Sequence, residues 1–308
     1  MMGFTQPGGL AGIAKGRVPM ESGSLRIDEL PDLQNARMLM GFSGWMDGGE
    51  VSTGTIDYLV KALDAVPFGE ILPEDFYIYN FPGSMELAAL FRPHARIENG
   101  LVRVFQEPTN TFYYAAAENL VLFRGKEPNI RWREYAEHVF SVAQEVNVKE
   151  MYYIGSVGGL VPHTRDPVFW TSMTDEDLRE VLVEAGFSPT NYEGPSSFST
   201  YLITRAMDRG LRMASCVAGI PSYVDGRNVK CIQEITRKLA TILGLTLDFS
   251  GLEAETAEFL ANLDKVVKEN SRLNEKVRQL EKFYDEEVGP TSGDDVRAWF
   301  ERQDLEID

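Results

Sequence analysis

The sequence contains few cysteines and histidines, and this scarcity excludes several classes of protein. Its 308 residues include 2 cysteines and 3 histidines. Cys216 and Cys231 are too few to cross-link a chain of this length, and both lie in segments of apolar periodicity, which predicts buried thiols. His94, His138 and His163 do not show the spacing of metal ligands. We therefore expect a protein of a reducing compartment with neither a metal nor another cofactor.

Long apolar runs and an excess of positive charge are also lacking. No stretch approaches the roughly 20 consecutive apolar residues of a membrane-spanning helix, and residues 1–24 lack the apolar run of a signal peptide. The chain has 30 Lys and Arg residues against 47 Asp and Glu residues, a net charge of −17. Such a surface repels nucleic acid and anionic membranes. We expect a cytoplasmic protein that binds neither of them and begins with a flexible leader over residues 1–24.

The next part of the chain alternates between short apolar runs and helical patterns. Buried strands are predicted at residues 36–42, 76–81, 119–123, 151–155 and 213–218. Helical spacing of apolar residues is found between them, at residues 51–63, 132–146, 177–185, 198–208 and 229–243. Asn99 and Gly100 stand between two β-rich arms and predict a hairpin with a type I′ turn. This order predicts a three-layer α/β/α domain with a mainly parallel sheet over residues 25–250.

Residues 251–308 differ in kind and predict a helical, coiled-coil-like extension. Residues 252–287 contain neither Pro nor Gly, and Ser250 with Glu253 matches a capping box, so a helix of roughly 50 Å is expected. Eight side chains follow the spacing of a heptad seam, namely Phe259, Leu263, Val266, Asn270, Leu273, Val277, Leu280 and Tyr284. Such a narrow seam favours pairing with another helix, most simply in a homo-oligomer. The alternative is that the helix packs on its own domain. One more short helix is predicted at residues 292–300.

Two loops carry residue types that suit ligand binding. The glycine loop at residues 44–49 joins a strand to a helix, where backbone amides can hold an anion, although its spacing is not that of a nucleotide-binding loop. Residues 162–165 follow the central strand at its carboxyl end, where open α/β sheets usually bind ligands. There His163 could act as a general base and Arg165 could bind a carboxylate or phosphate, or both could fix the loop by hydrogen bonds. Glu193 faces the same crevice or caps a turn.

Three ordered motifs resemble the proteasome assembly chaperone 2 family, in particular its bacterial members. They are Gly44-Trp45-x-Asp47-x-Gly49, Pro162-His163-Thr164-Arg165 and Tyr192-Glu193-Gly194-Pro195. The resemblance spans roughly residues 36–252. It implies a phosphorylase/hydrolase-like fold, an oligomer, and a role in escorting proteasome subunits, but no reaction. The sequence ends in Glu306-Ile307-Asp308, whereas family members that dock on the proteasome carry a penultimate tyrosine. That mode of docking is therefore in doubt.

The sequence thus supports several hypotheses about function. The first is a non-catalytic, chaperone-like assembly protein that forms a homo-oligomer and binds proteasome-type or other protein subunits. The second is a small-molecule-binding protein or an enzyme with its site near His163, Arg165 and Glu193, and the third is a structural coiled-coil adaptor. The candidate ligand-binding residues are Trp45, Asp47, His163, Thr164, Arg165, Tyr192 and Glu193. The eight seam residues are the candidate interface.

Overall fold

The computed structural model describes residues 20–288 and is built around a ten-stranded sheet in the order β1-β2-β4-β7-β8-β3-β9-β12-β10-β11. The strands of the described chain are β1 Met20–Ser22, β2 Leu25–Ile27, β3 Ala36–Ser43, β4 Val66–Ile71, β5 His94–Glu98, β6 Leu101–Gln106, β7 Thr111–Ala115, β8 Leu120–Lys126, β9 Val148–Gly159, β10 Val168–Thr171, β11 Ser188–Pro189 and β12 Arg212–Pro221. Its α-helices are α1 Val51–Ala62, α2 Met85–Ala89, α3 Trp132–Glu145, α4 Glu176–Glu184, α5 Phe198–Met207, α6 Val229–Leu243, α7 Ser250–Glu269 and α8 Ser271–Phe283.

The sheet is mixed, so the prediction of a mainly parallel sheet is wrong. Strands β8, β3, β9 and β12 form a parallel centre. On one side β1, β2, β4, β7 and β8 pair antiparallel in turn, and on the other β10 pairs antiparallel with β12. A parallel neighbour requires a long crossover, whereas a short turn suffices for an antiparallel one. The short connection between β7 and β8 therefore gives an antiparallel pair at the border of the parallel centre.

Helices cover both faces of the sheet and produce two hydrophobic cores. On one face α3 and α5 pack over strand residues such as Met40 and Tyr153. On the other face α1, α4 and α6 pack over their sequence neighbours, such as Leu39 and Ile154. Successive strand residues point to opposite faces, so a strand buried on both sides is apolar throughout. The predicted α/β character and the helical layers on both faces are therefore confirmed.

Two local predictions have opposite outcomes. The predicted hairpin is present, since Asn99 and Gly100 have φ values of 51° and 78° between β5 and β6. The predicted strand at residues 76–81 is wrong, because this segment is a turn followed by irregular backbone. Its Phe76 is buried in the core, but the Phe76 carbonyl accepts hydrogen bonds from the amides of Asn129 and Ile130 in a loop. Phe76 and Tyr77 fill the core without supplying a strand edge.

The C-terminal segment is not the single long helix that was predicted. Helix α7 ends at Glu269, the next residue Asn270 is extended with φ −115° and ψ 102°, and α8 begins at Ser271. The Asn270 side chain accepts a hydrogen bond from the Leu273 amide at 3.0 Å and caps α8. The capping box at Ser250 is also absent, because Glu253 forms an ion pair with Arg237 instead. One extended residue between two helices redirects the chain at this position.

Some predictions lie at or beyond the limits of the described chain. The helix predicted at residues 292–300 and most of the predicted leader lie outside the described residues. The predicted boundary at residue 250 coincides with the first residue of α7, whose Leu252 is buried in the core beside α6. Within residues 20–288 no helix is long and apolar enough to cross a membrane.

Candidate functional site

The glycine loop after β3 is held in place by Asp47. The carboxylate of Asp47 accepts hydrogen bonds from the Thr53 amide at 3.0 Å and from the Thr53 hydroxyl at 2.7 Å, and so it caps the first turn of α1. Burial raises the pKa of Asp47 to about 6, although both hydrogen bonds from Thr53 oppose that shift. Asp47 therefore has a structural role in starting the helix.

Two residues that the sequence analysis did not select attach this loop to the sheet. Ser156 in β9 donates its amide to the Met46 carbonyl at 2.9 Å and its hydroxyl to the Gly48 carbonyl at 2.6 Å. Glu127 accepts a hydrogen bond from the Trp45 amide at 3.2 Å, and burial raises the pKa of its carboxyl group. Glu127 directly follows β8 and Ser156 lies near the carboxyl end of β9, the two strands that flank β3, and this position was the available signal. The loop is thereby rigid in its backbone, while the Trp45 side chain is 62% exposed.

His163 is buried and its ring contacts two other elements. The Nδ1 atom of His163 lies 2.7 Å from the Tyr223 hydroxyl, and Nε2 lies 3.2 Å from a carboxylate oxygen of Asp264 in α7. The Lys230 ammonium group donates to the carbonyls of His163 and Arg165 at 3.0 and 2.6 Å, and burial lowers the pKa of Lys230. Both ring nitrogens of His163 are therefore engaged within the protein.

The next two residues of this loop bind the C-terminal helices. The Thr164 hydroxyl donates to Glu281 at 2.6 Å. The guanidinium group of Arg165 donates two hydrogen bonds of 2.7 Å to the two carboxylate oxygens of Asp285, which lowers the pKa of Asp285. The Tyr284 hydroxyl donates to the carbonyl of residue 166 at 3.0 Å. Tyr284 and Asp285 belong to a π-helical turn, Tyr284–Val288, that continues α8. We call the contacts between residues 164–166 and residues 281–285 the α8 clasp.

The seam residues occupy different environments. Val277 and Leu280 in α8 are buried within the chain, at 4% and 7% exposure. The half-buried members are Phe259, Leu263, Leu273 and Tyr284. Val266 is 53% exposed, and Asn270 is exposed as the cap of α8. The α8 half of the seam thus faces its own chain, and pairing with another helix through it requires α8 to leave the clasp.

Trp45 and Tyr192 line one cleft, which lies beside the first turn of α5. The cleft has a volume of about 160 Å³ and is bordered by aromatic rings and hydroxyl groups. Two of its polar groups bond each other, since the Ser172 and Ser215 hydroxyl oxygens are 2.9 Å apart. His163 and Arg165 are not among its lining residues. The Glu193 side chain is exposed and forms no hydrogen bond or ion pair with the residues that the structure describes. The candidate residues thus form two groups, one at the cleft and one at the α8 clasp.

Within the described chain no group of three or more His, Cys, Asp or Glu side chains is arranged to hold a metal ion. Both cysteines are free and buried, as predicted. Burial raises the pKa of the Cys231 thiol to about 12 and that of Cys216 further still. Neither thiol is suited to act as a nucleophile.

The fold and the motif loops define an α/β protein with a mixed sheet and a motif-bearing edge at the carboxyl ends of its parallel strands. The profile of the PAC2 family matches residues 41–267, which is more than half of the chain. The chain belongs to the PAC2 family, and the predicted resemblance is confirmed. Helix α8 lies beyond the matched region.

Solved structures share this fold. A protein of unknown function from Mycobacterium tuberculosis aligns with a TM-score of 0.79 and 21% identity, covering 94% of this chain and 98% of its own. A proteasome-assembly chaperone homologue from the same species has a TM-score of 0.68 and 24% identity, covering 78% and 99%. An archaeal proteasome activator from Pyrococcus furiosus has a TM-score of 0.58 and 21% identity, covering 79% and 97%. No curated protein matches the chain.

Proposed function

We propose that the protein is a non-catalytic assembly factor that binds other protein subunits, with proteasome-type subunits as its first candidate partners. The observation that carries this proposal is the engagement of His163 and Arg165. Their side chains hold the protein's own C-terminal helices, so the residues best suited to catalysis are used to stabilise the fold. The names of the similar structures, a proteasome-assembly chaperone homologue and a proteasome activator, supply the class of partner.

The size of the cleft at Trp45 and Tyr192 favours contact with a partner's side chains over enclosure of a small molecule at this position. Pockets that enclose small molecules usually measure roughly 300–1,000 Å³, whereas the cleft at Trp45 and Tyr192 measures about 160 Å³. It suits one or two side chains of a partner protein. Trp45 and Tyr192 are 62% and 42% exposed and are aromatic, as residues at the centre of protein interfaces often are. We therefore place partner contacts on the exposed rings beside this cleft.

A binding and assembly experiment tests the proposal. Purified 20S proteasome α and β subunits are mixed with the protein, and complexes are followed by native mass spectrometry and native gels. We expect a complex with unassembled subunits or faster formation of assembled rings. The double variant Trp45→Ala/Tyr192→Ala should weaken this effect at least fivefold. The control variant Met207→Ala removes a 57% exposed apolar side chain on α5 and should have no effect. Absence of both binding and acceleration by the wild-type protein would refute the proposal.

A second candidate is recognition of a small molecule at the same cleft, and its border of hydroxyl groups and aromatic rings supports it. We place this small-molecule site at the cleft and not at a site shared by His163, Arg165 and Glu193, because His163 and Arg165 contact α7 and α8. Thermal shift measurements with a panel of metabolites distinguish the two candidates. A small molecule that stabilises the wild-type protein but not Trp45→Ala/Tyr192→Ala would favour this second function.

The remaining parts of the proposal concern location and association. We place the protein in the cytoplasm, a reducing compartment that suits its two free cysteines. We propose that it forms a homo-oligomer, and the exposed part of the seam near Val266 is one surface that could take part. The phosphorylase/hydrolase-like description and the division at residue 250 are likewise part of this proposal. The variant Val266→Lys tests the exposed part of the seam, because pairing through it predicts a lower mass in solution for the variant.

A further inference from the structure

A second pocket lies at the carboxyl ends of β3 and β8 and has a volume of about 200 Å³. Ser43 and Lys126, the last residues of these two strands, pair in the sheet, and both line the pocket. The chain leaves β3 for α1 on one face of the sheet and leaves β8 for α3 on the other face. Open α/β sheets usually bind ligands in the crevice between two such strands. The pocket therefore has the position of a ligand site, although none of the candidate residues from the sequence analysis lines it.

The lining of this pocket carries more positive than negative charge. Its acidic and basic side chains are those of Arg92, Arg124, Lys126 and Glu107. Arg124 is held by α1, since its Nε atom lies 3.0 Å from a carboxylate oxygen of Asp57. Glu107 is exposed and accepts a hydrogen bond from the Tyr79 hydroxyl at 3.2 Å. Three cations against one carboxylate contrast with the net charge of −17 on the whole chain. An anion that most of the surface repels is therefore attracted to this pocket.

Lys126 is fixed through its backbone, whereas its ammonium group is available. The Lys126 amide donates to the Asn110 side chain at 3.0 Å, and its carbonyl accepts from the Tyr77 hydroxyl at 2.7 Å. The Nζ atom lies 5.5 Å from the centre of the Tyr77 ring. Burial lowers the pKa of Lys126, and among residues 20–288 its ammonium group has no carboxylate or other hydrogen-bond acceptor. A half-buried cation has lost part of its hydration, and a bound anion would compensate for that loss.

Arg92 brings a second cation from a different part of the chain. It lies between α2 and β5, its side chain is exposed, and it forms no ion pair with the residues that the structure describes. Ser43 and Thr109, which carry hydroxyl groups, also line the pocket. Donor groups thus come from the end of β3, the end of β8, the segment before β5 and the segment before β7. An anion with oxygens in several directions matches this arrangement better than a planar carboxylate, which a single arginine can hold in one plane.

We propose that this pocket binds a phosphate group, supplied either as inorganic phosphate or as the phosphoryl end of a small metabolite. A phosphate monoester carries a charge of roughly −1.5 to −2 at neutral pH and three strong acceptor oxygens, so it can engage Lys126 and Arg92 together. The pocket is smaller than the roughly 300–1,000 Å³ of pockets that enclose whole metabolites. It suits one phosphate group, with the rest of a larger molecule outside. The site is separate from the cleft at Trp45 and Tyr192 and does not depend on the proposed function.

Isothermal titration calorimetry with inorganic phosphate provides the first test. The full chain is titrated in a phosphate-free buffer, with sodium chloride keeping the ionic strength constant. We expect the wild-type protein to bind one phosphate per chain, and Lys126→Met and Arg92→Gln each to weaken binding by roughly tenfold or more. The control Lys149→Met removes one positive charge at the amino end of β9, at the opposite edge of the sheet, and should bind phosphate as the wild-type protein does.

The outcomes of these titrations are decisive in both directions. Lys126→Met keeps an unbranched apolar side chain beside Tyr77, and thermal unfolding shows whether the variant is folded. Because Arg92 is exposed, Arg92→Gln tests the pocket even if Lys126→Met alters the fold. A wild-type protein that does not bind phosphate overturns the proposal. Unchanged binding in Arg92→Gln, or equal weakening in Lys149→Met, overturns it as well.

Titrations with two further anions identify the chemistry and the source of the phosphate group. Glycerol 3-phosphate presents the same group as a monoester, and succinate presents two carboxylates of the same total charge. Binding of glycerol 3-phosphate at least as tight as that of inorganic phosphate supports a phosphorylated metabolite as the source, and weaker binding supports inorganic phosphate. Succinate should bind at least tenfold more weakly than the tighter of the two phosphates. Succinate binding of equal strength overturns the assignment of the pocket to phosphate.

Discussion

The attachment of α8 to its own domain can be tested by replacing one buried side chain. Leu280 is 7% exposed. Replacing a buried leucine by alanine costs about 2–5 kcal/mol, and the lower end applies to a helix at the edge of the fold. A loss of about 2 kcal/mol makes local opening of α8 roughly 30-fold more frequent. We therefore expect Leu280→Ala to lower the protection of the α8 amides by about that factor, with smaller changes in the central strands.

Hydrogen exchange followed by mass spectrometry measures this protection directly, and the direction of the change in protection distinguishes a packed helix from a free one. Alanine is a better helix former than leucine, so in a free helix the substitution leaves protection unchanged or raises it slightly. Arg278→Ala, at an exposed position of α8, is the matched control and should leave the protection nearly constant. The reasoning fails if Leu280→Ala does not accelerate exchange, or if Arg278→Ala accelerates it as much.

Three further predictions concern the cap, the glycine loop and the packing of α1. Asn270→Val should destabilise α8 by about 1 kcal/mol because the N-cap is lost, whereas Asn270→Asp should retain the cap. Hydrogen exchange in α8 measures this change. At a core position of a coiled coil, valine would instead stabilise the helix. The pKa of Asp47 in the folded protein, about 6, lies above its ordinary value of 3.8. Between these two pH values the folded state holds a proton that the unfolded state has lost. The stability that this proton contributes is therefore lost as the pH rises through 6. In urea unfolding, the free energy of unfolding of Asp47→Asn should therefore rise relative to that of the wild-type protein by on the order of 2 kcal/mol between pH 4 and pH 7. A difference that stays constant over this range would contradict the burial argument. Gly41→Ala would place Cβ 2.5 Å from the Ser52 carbonyl oxygen and 2.6 Å from Ile56, and thermal unfolding should show a loss of about 2–3 kcal/mol.

Local patterns predicted the elements whose stability is local. The Asn99–Gly100 turn was predictable because few other residue pairs accept positive φ at both positions. Helices α3 and α6 were predictable because each carries a continuous apolar stripe. The antiparallel flanks were not predictable, since the pairing of β4 with β7 joins strands that are separated by residues 72–110. Pairing partners over such distances are decided by tertiary packing, which a local pattern does not contain.

The candidate site was predictable in its location and not in its chemistry. Two of the three motif loops, residues 44–49 and 162–165, do lie at the carboxyl ends of the central strands β3 and β9, whereas residues 192–195 follow the edge strand β11. The residue types alone did not indicate that His163 and Arg165 would contact acidic side chains more than a hundred positions away, Asp264 and Asp285. The break at Asn270 had a signal in the sequence, because asparagine is a preferred N-cap. The heptad spacing continues across that break and concealed it.

The α8 clasp also has a consequence for sequence variation in the family. The matched region ends at residue 267, yet Arg165 inside that region is bound by Asp285 outside it. In relatives that possess α8, we expect residues at these two positions to vary together, since loss of either charge leaves the other without its bidentate partner. In relatives whose chains end with α7, the position of Arg165 is free of that constraint. Covariation of the two positions would thus mark the lineage in which the C-terminal helix was acquired.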